Sequence, residues 1–268
     1  MKILIEDNGS DIALKNKYGV FYKNVLLSQL KDHHLTVKKL GLLYNLKDYQ
    51  MVHVLRLLKI SYRNPLNDTR ILNATISSSQ HQLILGTLLG DAFMGHPKRY
   101  DLCHGIKQKD YCYHIADKLQ NFVASIKEID TNQNTRAVVL WTYRHDIFLP
   151  YFKKFYSKGK NKKYISKKCL EELTEEGLSY WYQDDGKLKK YGAYLCTGKI
   201  SPKEANTIIK YLKTRFNIKS NPQIWDKKRG YTYIYIPANS REKFFSLIRP
   251  YIIPSMEYKT PLTNKKGR

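Results

Sequence analysis

The sequence predicts an α/β (α+β) chain in which one unit is used twice, behind a shorter helical segment. Three observations carry that reading. Residues 76–170 and 171–268 run through the same order of patterns: an apolar helix, a strand, an amphipathic helix, a second strand and an aromatic-rich helix. The strand stretches alternate and are rich in β-branched and aromatic residues; in Tyr231–Pro237 three tyrosines share one face, and Thr232, Ile234 and Ile236 the other. The helix that opens each copy carries an aspartate at matched position, Asp91 and Asp185.

Taken in order, residues 1–75 read as helical, with turn signals at Asn8-Gly9-Ser10, Asn64-Pro65 and Asn67-Asp68. Within them, Leu35–Tyr44 reads as a short helix, Asn45–Asp48 as a turn, and Tyr49–Lys59 as a second helix with Val52, Leu55 and Leu58 on one face. That pattern suits a helix-turn-helix, whose second helix enters a DNA major groove, or a plain helical hairpin. The first copy then gives a helix over His81–Met94, with Ser79 and Gln82 as its capping box, and a strand over Tyr100–Lys107. A helix over Asp110–Val123, a strand over Thr135–His145 and a helix over Phe148–Tyr156 follow. The second copy repeats this with a helix over Gly177–Asp185 and a strand over Tyr191–Ile200. Pro202–Phe216 is its next helix, Tyr231–Pro237 its next strand and Ser240–Tyr251 its last helix. Thr174, with Glu175 and Glu176 behind it, suits the start of the Gly177 helix.

The 268-residue chain is long enough to bury a core without disulfide or metal staples. Its 47 Lys and Arg against 23 Asp and Glu leave a net charge of +24, while 42% hydrophobic content is globular rather than disordered. No apolar run is long enough to span a membrane, and the first residues resemble no signal peptide. Four unevenly spaced cysteines point to a reducing compartment. The expectation is a soluble intracellular protein whose field suits a polyanion, with nucleic acid ahead of an anionic membrane. The basic residues are interleaved with 22 tyrosines and form no single basic amphipathic helix.

Ile84–Ala92 and Leu178–Gly186 are the segments that carry chemistry. Gly86 and Gly90 are four apart, so they share a helix face and permit close approach of another helix. An acid at a helix C-terminus is disfavoured by the helix dipole, and two neighbouring carboxylates disfavour each other. Divalent cations offset both penalties. Mg²⁺ takes one or two carboxylates and fills its shell with water and phosphate oxygens, which suits phosphodiester hydrolysis. Cys103, His104, Cys112 and His114 look like a zinc set on paper, but they lack a tight Cys-x-x-Cys pair and divide between a strand and a helix. Trp181 and Tyr182 read as helix-interface core, and Cys169 and Cys196 carry no motif.

These two segments resemble the paired motifs of single-chain LAGLIDADG homing endonucleases, and the resemblance runs over residues 76–262. The second motif departs from the commoner pattern: Asp184 stands where a small residue is usual, and Tyr180 where Gly is frequent. Its Tyr180-Trp181-Tyr182-Gln183-Asp184-Asp185-Gly186 is similar to one intron-encoded branch. Counting from Leu178 as from Ile84 makes Asp185 the partner of Asp91. Lys162-Lys163-Tyr164-Ile165 and Tyr258-Lys259-Thr260-Pro261 resemble the basic segments of that branch, which makes Lys163 and Lys259 the matched active-site lysines.

The resemblance implies a monomeric saddle of two αββαββα halves, 76–170 and 171–268, with two antiparallel sheets astride double-stranded DNA. It implies a Mg²⁺-dependent endonuclease that makes a double-strand break with short 3′ overhangs in a long asymmetric target. Asp91 and Asp185 would hold the metal, with Lys163 and Lys259 beside them. Arg136, Thr142 and Arg144, with Tyr231, Tyr233 and Tyr235, are the candidates for base contacts. The run between Lys153 and Lys168, with Lys153, Lys154, Lys158, Lys160 and Lys162, would hold phosphates. The rivals are an intron maturase that binds RNA on the same fold, and a transcription regulator with a degenerate endonuclease body. Lys, Asn, Ile and Tyr richness suits the AT-rich genome of a phage or organelle, or a mobile element in a bacterium.

Overall fold

The computed structural model describes residues 23–31, 37–58, 60, 74–131, 135–156, 162–195, 200–226, 228 and 231–261. The chain divides into two compact units, Met1–Asn73 and Ala74–Arg268. In the first, helices α1 (Lys23–Lys31), α2 (Val37–Leu43) and α3 (Asp48–Leu57) surround a small core of Leu26, Leu40, Met51, Val54, Leu55 and Ile60. Asn45, at φ 53, ends α2 in the left-handed region that asparagine tolerates, and the Leu46 N–H closes the turn on the Gly41 carbonyl at 2.7 Å. The inward face of α3 is therefore Met51, Val54 and Leu55, with Leu58 packed at its edge. The turn signals at 8–10, 64–65 and 67–68 lie outside the described residues.

The second unit holds two four-stranded antiparallel sheets of identical strand order, β1-β2-β4-β3 and β5-β6-β8-β7. In chain order its first half is α4 (Ser78–Leu89), β1 (Phe93–His96), β2 (Arg99–Gly105), α5 (Lys109–Leu119), β3 (Val123–Asp130), β4 (Arg136–Thr142) and α6 (Leu149–Phe155). A short α7 (Lys167–Leu170) leads to the second half: α8 (Glu175–Asp185), β5 (Lys187–Lys189), β6 (Gly192–Tyr194), α9 (Pro202–Phe216), β7 (Asn221–Asp226), β8 (Tyr231–Pro237) and α10 (Ala238–Ile248).

Pattern reading alone finds two strands per half, whereas each half has four. α4 stops at Leu89, because Gly90 leaves helical geometry at φ −95, ψ −129. The apolar run that seemed to continue it is β1. Leu119 likewise ends α5, short of the expected Val123, and Val123–Asp130, where no strand was expected, forms β3. The capping box of α4 belongs to Ser77 and Gln80, two residues before the pair expected. Ser79 donates instead to the Glu176 carboxylate, and Gln82 is buried between the halves.

α4 and α8 pack side by side at the centre. Every residue from Gln82 to Leu89 and from Gly177 to Asp184 is buried, so each helix is covered all round. A Cβ on Gly86 would run into the Gly177 carbonyl oxygen. Gln82 clamps the start of α8: its amide nitrogen donates to the Glu172 carbonyl at 2.8 Å, and its oxygen accepts the Thr174 N–H at 2.8 Å. Replacing Gly86 by alanine normally favours a helix slightly; here overpacking should destabilise the protein by about 2–3 kcal/mol. Urea unfolding of G86A against the parent measures it, and equal or higher stability would contradict this packing.

Candidate active site

The helix crossing delivers both aspartates to one place. Asp91 lies just beyond the end of α4, with 45% of its side chain exposed, and Asp185 is the last residue of α8. Burial first, then the charges of Asp91 and Asp184, push the Asp185 carboxyl up to about 7. Asp91 is also raised, by burial and by Asp184. Lys163 and Lys259 pull both acids the other way without overcoming this.

The two lysines take equivalent positions. The Lys163 ammonium donates to the carbonyls of Leu88 (3.1 Å), Gly90 and Ala92 (2.7 Å) at the end of α4. The Lys259 ammonium donates to the carbonyls of Gln183 (2.5 Å) and Asp184 (2.9 Å) at the end of α8. A cation at a helix C-terminus satisfies carbonyls that lack intrahelical partners and offsets the negative end of the dipole. Burial lowers the Lys259 pKa against the upward pull of Asp184, Asp91 and Asp185. Buried Gln183 anchors the segment that brings Lys259 in, donating to the Tyr251 carbonyl at 3.2 Å and accepting the Ile253 N–H at 3.0 Å. Tyr182 donates to the Lys259 carbonyl at 2.6 Å.

Two further groups belong to the site. Asp184, fully buried, accepts the Asp91 N–H at 3.0 Å. His104 on β2 lies between acids: Nε2 is 3.3 Å from Asp184 Oδ1 and Nδ1 is 3.5 Å from Asp91 Oδ2. The 3.3 Å contact falls outside hydrogen-bond geometry, and among the described residues neither atom has another hydrogen-bond partner. It is an electrostatic contact. Burial pulls the His104 pKa down, but Asp184 and Asp91 more than offset that and hold it above its usual value. Sequence reasoning weighed His104 only as a zinc ligand; Cys103 points out of β2 while Cys112 is buried in α5.

A cleft lined by Asp184, Asp185, Gly186, Lys187, Lys189, Tyr194 and Tyr233 joins the carboxylates to one face of the second sheet. On that face Tyr194 packs against Tyr233 and Tyr235 at 4.9 and 5.5 Å between ring centres, and Lys189 lies 5.1 Å over Tyr194. Tyr231, Tyr233 and Tyr235 are half-buried while Thr232, Ile234 and Ile236 are buried, the alternation expected.

A match to the family model described as the LAGLIDADG DNA endonuclease family spans residues 81–244. The chain belongs to that family. It is 31% identical over 203 residues to "Probable intron-encoded endonuclease 1" of Wickerhamomyces canadensis, covering 69% of this chain and 85% of the relative. It is 27% identical over 270 residues to "Cytochrome b mRNA maturase bI2" of Saccharomyces cerevisiae, covering 92% of this chain and 61% of the maturase. Among solved structures, the homing endonuclease I-WcaI bound to its DNA recognition sequence superposes with a TM-score of 0.64 at 26% identity. That match covers 78% of this chain and 97% of I-WcaI. The αββαββα halves and paired antiparallel sheets of this LAGLIDADG chain are that fold.

Other expected contacts divide. Thr142 is buried, accepting the Tyr100 N–H at 3.0 Å, so it cannot read bases. Val138, Leu140 and Thr142 form the inward face of β4, which leaves Val139 and Trp141 on the other face, with Lys127 5.0 Å over the Trp141 ring. Arg136 is exposed at the start of β4 but pairs with Glu128, and Arg144 is exposed beyond its end. Lys153 and Lys162 are exposed, whereas Lys154 is mostly buried and paired with Glu172 at 2.6 Å. Lys158, Lys160 and Cys196 lie outside the described residues. Trp181 and Tyr182 are core, as expected.

A carboxyl raised from 3.8 to about 7 on folding makes the native state hold more protons than the unfolded chain across that window. Metal-free protein should therefore lose stability as pH rises from about 4 to 7. At pH 8, Asp185→Asn should be more stable than the parent by at least about 1 kcal/mol, and the advantage should vanish near pH 4. Denaturant unfolding in EDTA reads this; a variant less stable at pH 8 would contradict the assigned environment.

Proposed function

We propose that this protein is a site-specific double-strand DNA endonuclease, the product of an intron-borne mobile element, acting on a long asymmetric target and leaving short 3′ overhangs. The observation that carries the reading is the convergence of Asp91 and Asp185 at one helix crossing, each helix end held by its own lysine. The relatives named as intron-encoded endonucleases and the DNA-bound I-WcaI support the substrate. No helix among the described residues is long and apolar enough to cross a membrane.

The residues fit Mg²⁺. Two carboxylates whose pKa values are both raised by burial and neighbouring acids gain from a dication, and oxygen ligands are what Mg²⁺ prefers. Among the described residues no cluster of three His, Cys, Asp or Glu could hold a metal alone, so water and phosphate oxygens would complete its shell. When bound, the ion would polarise the scissile phosphate and activate water. Asp91 and Asp185 would hold the ion and, through it, the scissile phosphates of the two strands. Lys163 and Lys259, spent on backbone carbonyls, would hold the helix ends rigid and add positive potential where charge develops. The half-buried tyrosines of β8, and Val139 and Trp141 of β4, would face bases. The +24 charge, with Lys153 and Lys162 exposed, would hold the backbone. Residues 1–73, with a core of their own, would extend the contact through α2 and α3.

The likeness to an mRNA maturase keeps RNA binding as the second reading. One assay separates them: incubate the protein and Mg²⁺ with intronless and intron-bearing host-gene DNA. Cutting of the intronless form alone is expected. Asp91→Asn or Asp185→Asn should lower the rate by at least about 10²-fold, with DNA affinity largely kept, and the double variant should be scarcely slower. Residues 74–268 alone should still cut at high concentration, with a footprint shortened on one side. No cutting by the parent, with tight binding of intron RNA, would favour the maturase reading.

A further inference from the structure

A side chain fixed before its ligand arrives recognises it at less entropic cost, and β2 holds such a side chain. Along this strand Tyr100, Leu102 and His104 are buried toward the core, and Arg99, Asp101 and Cys103 alternate with them. Asp101 pairs across the ladders with Trp141 of β4 and Phe93 of β1, so it shares their outward face. Even so, the Asp101 side chain keeps only 4% of its surface. Three N–H groups converge on its carboxylate. The Gly95 backbone donates to Oδ2 at 2.9 Å, and Arg99 Nε and Nη2 donate to the same oxygen at 3.2 and 3.1 Å. Arg99 Nε also lies 2.8 Å from Oδ1. The arrangement fits only because residue 95 is glycine: a Cβ there would overlap both the Asp101 carboxylate and the Arg99 guanidinium.

This contact decides what Arg99 can do. A guanidinium has five N–H donors in a rigid, planar fork. Asp101 takes the edge made by Nε and one N–H of Nη2. The other N–H of Nη2 and those of Nη1 form the end of the fork, on a side chain that is 32% exposed. Two coplanar donors match O6 and N7 of guanine in the major groove. Adenine sets a donor beside its N7, and thymine offers one acceptor beside a methyl group. The buried carboxylate also offsets the charge of Arg99, which makes it a weaker phosphate anchor than the exposed lysines of this +24 chain.

We propose that Arg99 is a specificity-determining residue that reads one guanine of the target, with Asp101 as the positioning residue that holds its guanidinium. The proposal rests on the reading above that the outward sheet faces take double-stranded DNA.

The test takes the intronless host-gene duplex across the intron insertion site, replaces each base pair in turn, and measures competition binding at fixed salt. The parent protein should favour one G·C pair by about tenfold. Arg99→Ala should lose that preference and keep the others. It should bind the parental duplex about as weakly as the parent protein binds the duplex altered at that pair. Arg99→Lys keeps the charge but not the fork, so it should lose most of the preference too and keeps the test sound should the alanine variant fold poorly. Asp101→Asn should reduce the preference by less. Placing 7-deazaguanine at that position removes the N7 acceptor alone; it should weaken the parent protein and leave Arg99→Ala unmoved. A uniform loss of affinity across all duplexes would make Arg99 a phosphate contact and overturn the proposal, as would survival of every base preference in Arg99→Ala. A parent protein that neither binds nor cuts the duplex would instead overturn the reading beneath it.

Discussion

Two helices cross backbone against backbone because Gly86 and Gly177 place no side chain between them, and Gln82 holds the start of one against the flank of the other. From that contact follows the all-round burial of both helices. It also sets which carboxylates meet. Larger side chains at the crossing would separate Asp91 from Asp185 even if each half kept its fold. Close packing at a few small residues thus serves the chemistry as much as the core.

Electrostatics at this point are unfavourable without a partner. Three aspartates, Asp91, Asp184 and Asp185, gather at the ends of helices whose dipoles present negative charge. The chain answers with cations at fixed places: Lys163 on the carbonyls of one helix end, Lys259 on those of the other, and His104 between two of the acids. What remains uncompensated appears as the raised pKa of Asp185, and a dication with its phosphate ligands would relieve it. Substrate, metal and site are then complementary in charge, and the surrounding +24 chain makes the approach of DNA favourable.

Much of this is legible in the sequence where local and global signals agree. The duplication, the two apolar helices and the outward tyrosines of β8 follow from periodicity. The matched aspartates follow from the repeat, whereas the lysines needed a family resemblance as well, since Lys163 sits in a lysine-dense run that looks solvated. Short strands were hidden. β1 continues an apolar run past a glycine that ends the helix, and β3 mixes charged and apolar residues without clean alternation. Thr142 failed as a base contact because parity along β4, set by Val138 and Leu140 facing inward, turns it into the core. His104 is invisible to local reading: its partners are 13 and 80 positions away, and only the crossing brings them to it.

Metal placement is the most direct test that one crossing makes one site. With Fe²⁺ in place of Mg²⁺ in the DNA complex, ascorbate and peroxide would generate radicals that cut the polypeptide beside the metal, and mass spectrometry would map the breaks. Both helix ends, residues 90–92 and 184–186, should be cut together, and Mg²⁺ should suppress both. Breaks at one helix end alone, or at neither, would contradict the shared site.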